Sequence, residues 1–421
     1  MPRPTILEGG EPRPLIVDPS LSLLGTDERS SLLQVFDACA RRGGKEADEV
    51  EQFEQRFAAR HGSPQAVAVA SATSGLQVAL QALGVGQGDE VLVPPYTFPA
   101  SCHAVLHAGA RPVFVDVDRE TLCLDPDLIT RRLTPRTKAV MVVHIGGKPA
   151  RMGPLLEAAR RHGLVVVEDA AQAHGATYAG RPVGTLGDAG VFSFSPKLMT
   201  SLRGGVILTS DAQVAERCRQ FRFHGLPGIR NRVRQQRQLA TSVAPHFVHH
   251  VAGYSLMMTA LQAAVLMPQL DKLHERFARR HANGAYLAQG LGRLSGLQPV
   301  LGCVEGKSNF YMLEVMYDPA GFAGLDRDQL VTALSWEGVP ISPTAVTHTP
   351  VYDNPSLAAF CDLPCPVAED VLPRLLVFGH PLQSLVLDGG HDDLDRILDR
   401  VALVHRHAAQ LVEFFQAEGR P

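Results

Sequence analysis

Seven short, β-branched runs recur between residues 66 and 210: AVAVAS (66–71), EVLVPP (90–95), RPVFVDV (111–117), KAVMVVH (138–144), GLVVVEDA (163–170), AGVFSF (189–194) and GVILTS (205–210). Several are apolar almost throughout instead of alternating, a pattern that suits strands buried on both faces. Between them lie helical segments. In GLQVALQAL (75–83) Leu76, Leu80 and Leu83 recur at helical spacing, and PLLEAARRHG (154–163) closes on basic residues and a glycine. Strand alternating with helix predicts an α/β fold with a mostly parallel sheet covered on both sides. In such a sheet a ligand lies beyond the carboxyl ends of the strands.

The pattern changes after residue 210. Residues 222–250, RFHGLPGIRNRVRQQRQLATSVAPHFVHH, are polar and basic, and a loop of that length is usually functional or partly disordered. A long helical stretch follows at 256–291. Then come a strand-like FYMLEVMYDP (310–319) and one closing helix at 392–415, which together read as a smaller α+β domain. The expected division is an N-terminal arm (1–20), a large domain (21–275) and a small C-terminal domain (276–421), since 421 residues exceed one ordinary core. With 45% hydrophobic and 20% charged residues and a formal net charge of -3, nothing points to nucleic acid or a membrane surface. Seven scattered cysteines without a C-x-x-C pair give no metal-site spacing and suit reduced thiols in a cytoplasmic protein.

Chemistry concentrates at the expected strand ends. In VVVEDAAQAHGA (165–176) Asp169 ends an apolar strand, and Gln172 follows three positions later. One reading is a helix-capping aspartate. The other is an anion held against a protonated ring nitrogen, with the Gln172 amide near a neighbouring polar atom. That arrangement serves pyridoxal phosphate, which acts as an electron sink only while its pyridine nitrogen stays protonated. The same cofactor needs a lysine for its Schiff base, and VFSFSPKLMTSLRGG (191–205) offers Lys197 just past the next strand. Desolvation there would lower its pKa and leave more free amine. ASATSGL (70–76) places Ala72, Thr73 and Ser74 at a strand-to-helix junction suited to a phosphate, and Ser193 or Ser195 adds a hydroxyl. PPYTFPAS (94–101) sets Phe98 past another strand end, as a core aromatic or as a ring stacked on the cofactor.

Taken in order, S-A-T-S-G-L, P-P-Y-T-F-P-A-S, E-D-A-A-Q-A-H-G-A and F-S-F-S-P-K-L-M-T-S with its trailing G-G resemble the DegT/DnrJ/EryC1/StrS family of pyridoxal-phosphate aminotransferases, from about residue 20 to the C-terminus. The resemblance implies a fold-type I, aspartate aminotransferase-like large domain. It implies an amino-acid donor, glutamate or glutamine, and a keto-sugar, cyclitol or related ketone as acceptor in natural-product or sugar biosynthesis. Lys197 would form the Schiff base, Asp169 would pair with the ring nitrogen, and Gln172 would lie near the phenolic oxygen. Phe98 would stack on the ring, while Ala72, Thr73 and Ser193 would hold the phosphate. Tyr96, His174, Arg230 and Arg232 are candidates for the substrate side. A homodimer with active sites at the interface is also implied.

Some positions depart from the family pattern. Leu202-Arg203-Gly204-Gly205 stands where G-E-G-G is common, and Met257 stands where an arginine is frequent. Ser308-Asn309-Phe310-Tyr311 occupies a stretch that often holds a histidine. Two alternatives therefore stay open: a non-transaminating enzyme of the same fold (a lyase, a dehydratase or a C–N bond-forming enzyme), and a catalytically silent partner subunit. The run Arg230, Arg232, Arg234, Arg237 is either a solvated loop or a reader of substrate phosphate. If it reads phosphate, charge reversal at Arg232 and Arg234 raises the Michaelis constant for a nucleotide-linked substrate, which steady-state kinetics measures.

Overall fold

The computed structural model of the protein describes residues 3–16, 22–44, 46, 48–227, 248–343, 346–379 and 386–418. Helices α1 (Thr26–Arg41) and α2 (Glu49–His61) precede β1 (Gln65–Val69). Then come α3 (Ala72–Ala82), β2 (Glu90–Val93), α4 (Pro99–His107), β3 (Arg111–Phe114), β4 (Thr137–Val143), α5 (Met152–His162) and β5 (Val165–Asp169). A hairpin of β6 (Thr177–Tyr178) and β7 (Arg181–Pro182) leads to β8 (Ala189–Ser193), β9 (Gly205–Thr209) and α6 (Ala212–Arg222). Each of the seven apolar runs supplies one strand of a single sheet, ordered β1-β9-β8-β5-β4-β2-β3. Strand β9 is antiparallel to both its neighbours, and every other pairing is parallel.

The strand period of two sorts side chains between two cores. On β8, Val191 joins the cluster with Leu76, Val78 and Leu80 of α3, while Phe192 joins the cluster with Phe53 and Phe57 of α2. Burying an aromatic such as Phe192 contributes about 1.5–3 kcal/mol. Helices on both faces thus leave the carboxyl ends of the parallel strands as the open edge.

The second half contains α7 (Ala260–Leu291), β10 (Leu297–Pro299), β11 (Gly306–Lys307), β12 (Leu313–Tyr317), α8 (Arg327–Trp336), β13 (Ile341–Ser342), α9 (Pro366–Val371), β14 (Leu375–Phe378), α10 (His391–Arg406) and α11 (Ala408–Ala417). Strands β10-β12-β14-β13 form an antiparallel sheet over a third core, and β11 pairs with β6. Helix α7 serves both halves: Leu266, Leu270 and Leu273 pack with Phe192, whereas Leu287, Ala288 and Leu291 pack under the small sheet. The expected boundary at 275/276 falls inside this helix. Pro268 lies within it and has no N–H for the Ala264 carbonyl; the Ser31 hydroxyl of α1 donates to that carbonyl instead, at 2.7 Å. The single closing helix expected at 392–415 breaks at His407, whose φ and ψ (-109°, 16°) leave the helical region and whose ring contacts the Leu403 carbonyl at 3.0 Å.

Gly205, where β9 begins, lies against the start of α3: a Cβ there would sit 2.7 Å from both the Ala72 nitrogen and the Ser71 carbonyl carbon. Gly205→Ala is therefore expected to lower stability by about 1–3 kcal/mol in chemical denaturation. Gly390→Ala, at a position with open space around it and ordinary φ, should stay within about 0.5 kcal/mol.

Candidate active site

Strand β5 ends in two adjacent carboxylates facing opposite ways. Glu168 accepts the backbone N–H groups of Gly184, Leu186 and Gly187, each at 2.7 Å, and fixes the turn that leads into β8. It also meets His144 Nε2 at 3.0 Å; the Ala150 N–H donates to His144 Nδ1, so the ring carries its proton on Nε2. Asp169, only 6% exposed, accepts from the Ser101 hydroxyl at 2.7 Å and the Ala171 N–H at 3.1 Å. Burial pushes its pKa up, and those two donors with His144 and Lys197 pull it back. Among the described residues no lysine or arginine forms an ion pair with it.

Lys197 follows the neighbouring strand β8. Its ammonium donates to the Tyr311 hydroxyl at 2.8 Å and lies 4.3 Å from that ring's centroid. Burial lowers the Lys197 pKa to about 8, against the pull of Asp169. Gln172 is buried, with Oε1 accepting from the Gly146 N–H at 2.7 Å. Phe98 is the N-cap residue of α4 and is 61% exposed, so it is no core aromatic.

The first turn of α3 lies where the sequence places a phosphate site. Ser71 caps the helix by accepting from the Ser74 N–H, and the Ser74 hydroxyl donates back to the Ser71 carbonyl. The cap therefore occupies Ser74, and the N–H groups of Ala72 and Thr73 with the Thr73 hydroxyl remain for a ligand. Ser193 accepts the Ser195 N–H at 3.4 Å.

The substrate-side candidates His174 and Tyr96 are both buried. His174 is fully buried between Phe192 and Phe194, with both ring nitrogens unpartnered and its pKa lowered to about 3 by burial. Tyr96 is likewise sealed in the core, and its buried hydroxyl has no partner among the described residues. Arg230 and Arg232 lie outside the described residues, as does most of the 222–250 segment. Its two stems adjoin through the His250 N–H and the Gly225 carbonyl at 2.8 Å. Arg203 is exposed, and its carbonyl receives Gln262 at 3.3 Å.

Sequence reading missed Ser101, Asn309 and Tyr311. Ser101 carried a signal, being the last residue of the strand-end stretch that holds Phe98. Asn309 and Tyr311 lie in the stretch that departs from the family pattern, but their contact with the Lys197 region, from 114 positions away in the case of Tyr311, had no local signal.

The model of the DegT/DnrJ/EryC1/StrS aminotransferase family matches residues 27–398. The chain belongs to this family. It is 36% identical over 382 residues to the L-glutamine:2-deoxy-scyllo-inosose aminotransferase of Micromonospora echinospora, covering 85% of this chain and 87% of that one. It is 33% identical to the spore coat polysaccharide biosynthesis protein SpsC of Bacillus subtilis, covering 91% of this chain and 95% of that one. Among solved structures, that of S. venezuelae DesV in complex with a ketimine intermediate superposes with a TM-score of 0.76 at 32% identity, covering 90% of this chain and 94% of that one.

DegT/DnrJ/EryC1/StrS enzymes depend on pyridoxal phosphate, and this member is an aminotransferase of fold-type I. Its residues suit that cofactor. Asp169 is a buried carboxylate with donors but, among the described residues, no ion pair, Lys197 is a desolvated amine, and the start of α3 is suited to an anion. Labelling of Lys197 by an amine-reactive reagent in the cofactor-free chain, followed by peptide mass spectrometry, should be half-maximal near pH 8. Ordinary surface lysines should respond about two units higher.

Proposed function

We propose that this aminotransferase moves an amino group from L-glutamine or L-glutamate to a ketone on a sugar or cyclitol. The observation that carries the reading is the placement of Lys197, an amine with a pKa near 8, and Asp169, a buried carboxylate that forms no ion pair among the described residues, at the ends of neighbouring strands. The named activity of the M. echinospora relative supports this donor and acceptor class.

In this reading Lys197 Nζ anchors pyridoxal phosphate, Asp169 holds its ring nitrogen positive, and Gln172 lies near its phenolic oxygen. The exposed face of Phe98 packs on the ring, and Ala72, Thr73 and Ser193 receive the phosphate. When bound, the cofactor supplies an electron sink that lets a carbon-bound proton of the donor leave. As free base, Lys197 Nζ takes that proton; as ammonium, it gives one up. The low pKa suits both roles, because amine and ammonium coexist near neutrality. Arg203 is exposed, Met257 is exposed as well, and the named activities of the relatives favour transamination over a silent or non-transaminating chain.

The active unit in this reading is a cytoplasmic homodimer. Leu33 and Phe36 of α1, Leu202, Met257 and Leu261 are exposed on adjoining elements, joined through Ser31–Ala264 and Gln262–Arg203 contacts. An apolar face of that kind suits a second copy. All seven cysteines are free thiols, as a reducing compartment would keep them. No described helix is long and apolar enough to cross a membrane.

The test is spectroscopic. With pyridoxal phosphate the protein should develop a visible band that Lys197→Ala lacks, and L-glutamine or L-glutamate should bleach it with release of pyridoxamine phosphate. Lys197→Ala should lower kcat by about 10²–10⁴-fold or more, and Asp169→Asn by about 10²-fold. A Lys197-dependent band that ignores both amino acids would rule this donor assignment out.

A further inference from the structure

The segment before β12 is built with unusual constraint for a loop. Phe310 has φ of 45°, in the left-handed region that a bulky side chain seldom occupies. Arg280 of α7, only 1% exposed, holds it there. Its guanidinium donates to the carbonyls of Asn309 at 3.4 Å, Phe310 at 2.6 Å and Tyr311 at 3.1 Å, and pairs with Asp388. Asn309, fully buried, accepts the Tyr311 N–H at 2.7 Å and donates to the carbonyls of Gln172 at 2.8 Å and His174 at 3.0 Å. Gly147 leaves room for it: a Cβ there would fall 1.8 Å from the Asn309 side-chain oxygen.

These contacts deliver one side chain from the small-sheet half into the site of the large sheet. Tyr311 is nearly sealed from solvent, yet its hydroxyl receives Lys197 Nζ at 2.8 Å and its ring lies under the same nitrogen. The turn that carries Gln172 and the segment that carries Tyr311 share Asn309, so the two are held in fixed relation.

We propose that Tyr311 is a catalytic residue of this enzyme, holding Lys197 Nζ through its hydroxyl when the amine is free and through hydroxyl and ring together when the amine carries the transferred proton. The proposal rests on Lys197 being the proton-moving lysine. The proton balance is simple. One proton leaves the donor's carbon and binds Nζ, and one N–H of the resulting ammonium points at the Tyr311 oxygen. Tyr311 stays neutral throughout, since burial pushes its own pKa up. An oxygen acceptor and a π face both favour the ammonium. They offset part of the desolvation that favours the amine, and so keep both forms within reach.

Tyr311→Phe separates the parts, because it keeps the ring and removes the oxygen. In the full-length cofactor-free chain, the pH midpoint of Lys197 labelling should drop by about one unit. In the holoenzyme kcat should fall about 10–100-fold with KM changed by less than about threefold. Tyr311→His, which restores an acceptor on a ring, should recover part of both. An unchanged midpoint, or an unchanged kcat, would overturn the proposal. So would a loss of kcat that tracks the thermal midpoint in both variants, since that marks a packing role alone. If wild type forms no Lys197-dependent band, it is the assignment of Lys197 that fails, and the labelling midpoint still reports separately on the Tyr311 contact.

Discussion

Asp169 and Lys197 attract each other across adjacent strand ends while both are largely withdrawn from water, and the surrounding architecture answers to that pair. Burial alone would neutralise both, raising the acid and lowering the amine. The fold moderates the two effects unequally. Asp169 receives two short hydrogen bonds, whereas Lys197 receives one oxygen and one aromatic face. Burial still leaves the Asp169 carboxyl above its ordinary range, its donors opposing that shift only in part, and the amine is left near balance.

Rigidity beneath the pair comes from a second carboxylate. Glu168 ties three backbone N–H groups and His144 to the end of β5, so the turn into β8 and the loop after β4 are fixed by one side chain. Fully satisfied buried polar groups of this kind define a single geometry, where partly satisfied ones would permit several. The placement of Lys197 depends on that turn, since β8 leads directly to it.

Much of this was legible in the sequence because it is local. The seven β-branched runs are apolar enough to mark strands buried on both faces, and Asp169, Gln172, Phe98, Thr73 and Lys197 each fall at a strand end recognisable from short-range pattern. What escaped was set by long-range packing. Tyr311 and Asn309 meet the site from the other half of the chain, and no periodicity announces such a meeting. The depth of His174 and Tyr96 was likewise set by packing: the neighbouring Phe192, Phe194 and core side chains enclose them.

The described N-terminal residues belong to the small sheet's half. Arg13 and Ile16 donate backbone N–H groups to the Trp336 and Gly338 carbonyls, Thr5 donates to the Glu337 carboxylate, and Ile6 and Ile16 join the core under that sheet. Thr5 and Glu337 are 332 positions apart. During synthesis this stretch emerges long before its partners exist, so it must wait, apolar side chains uncovered, until α8 has been made. Such a delay is the cost of a high contact order, and it leaves the finished protein closed by a segment made long before the surface it completes.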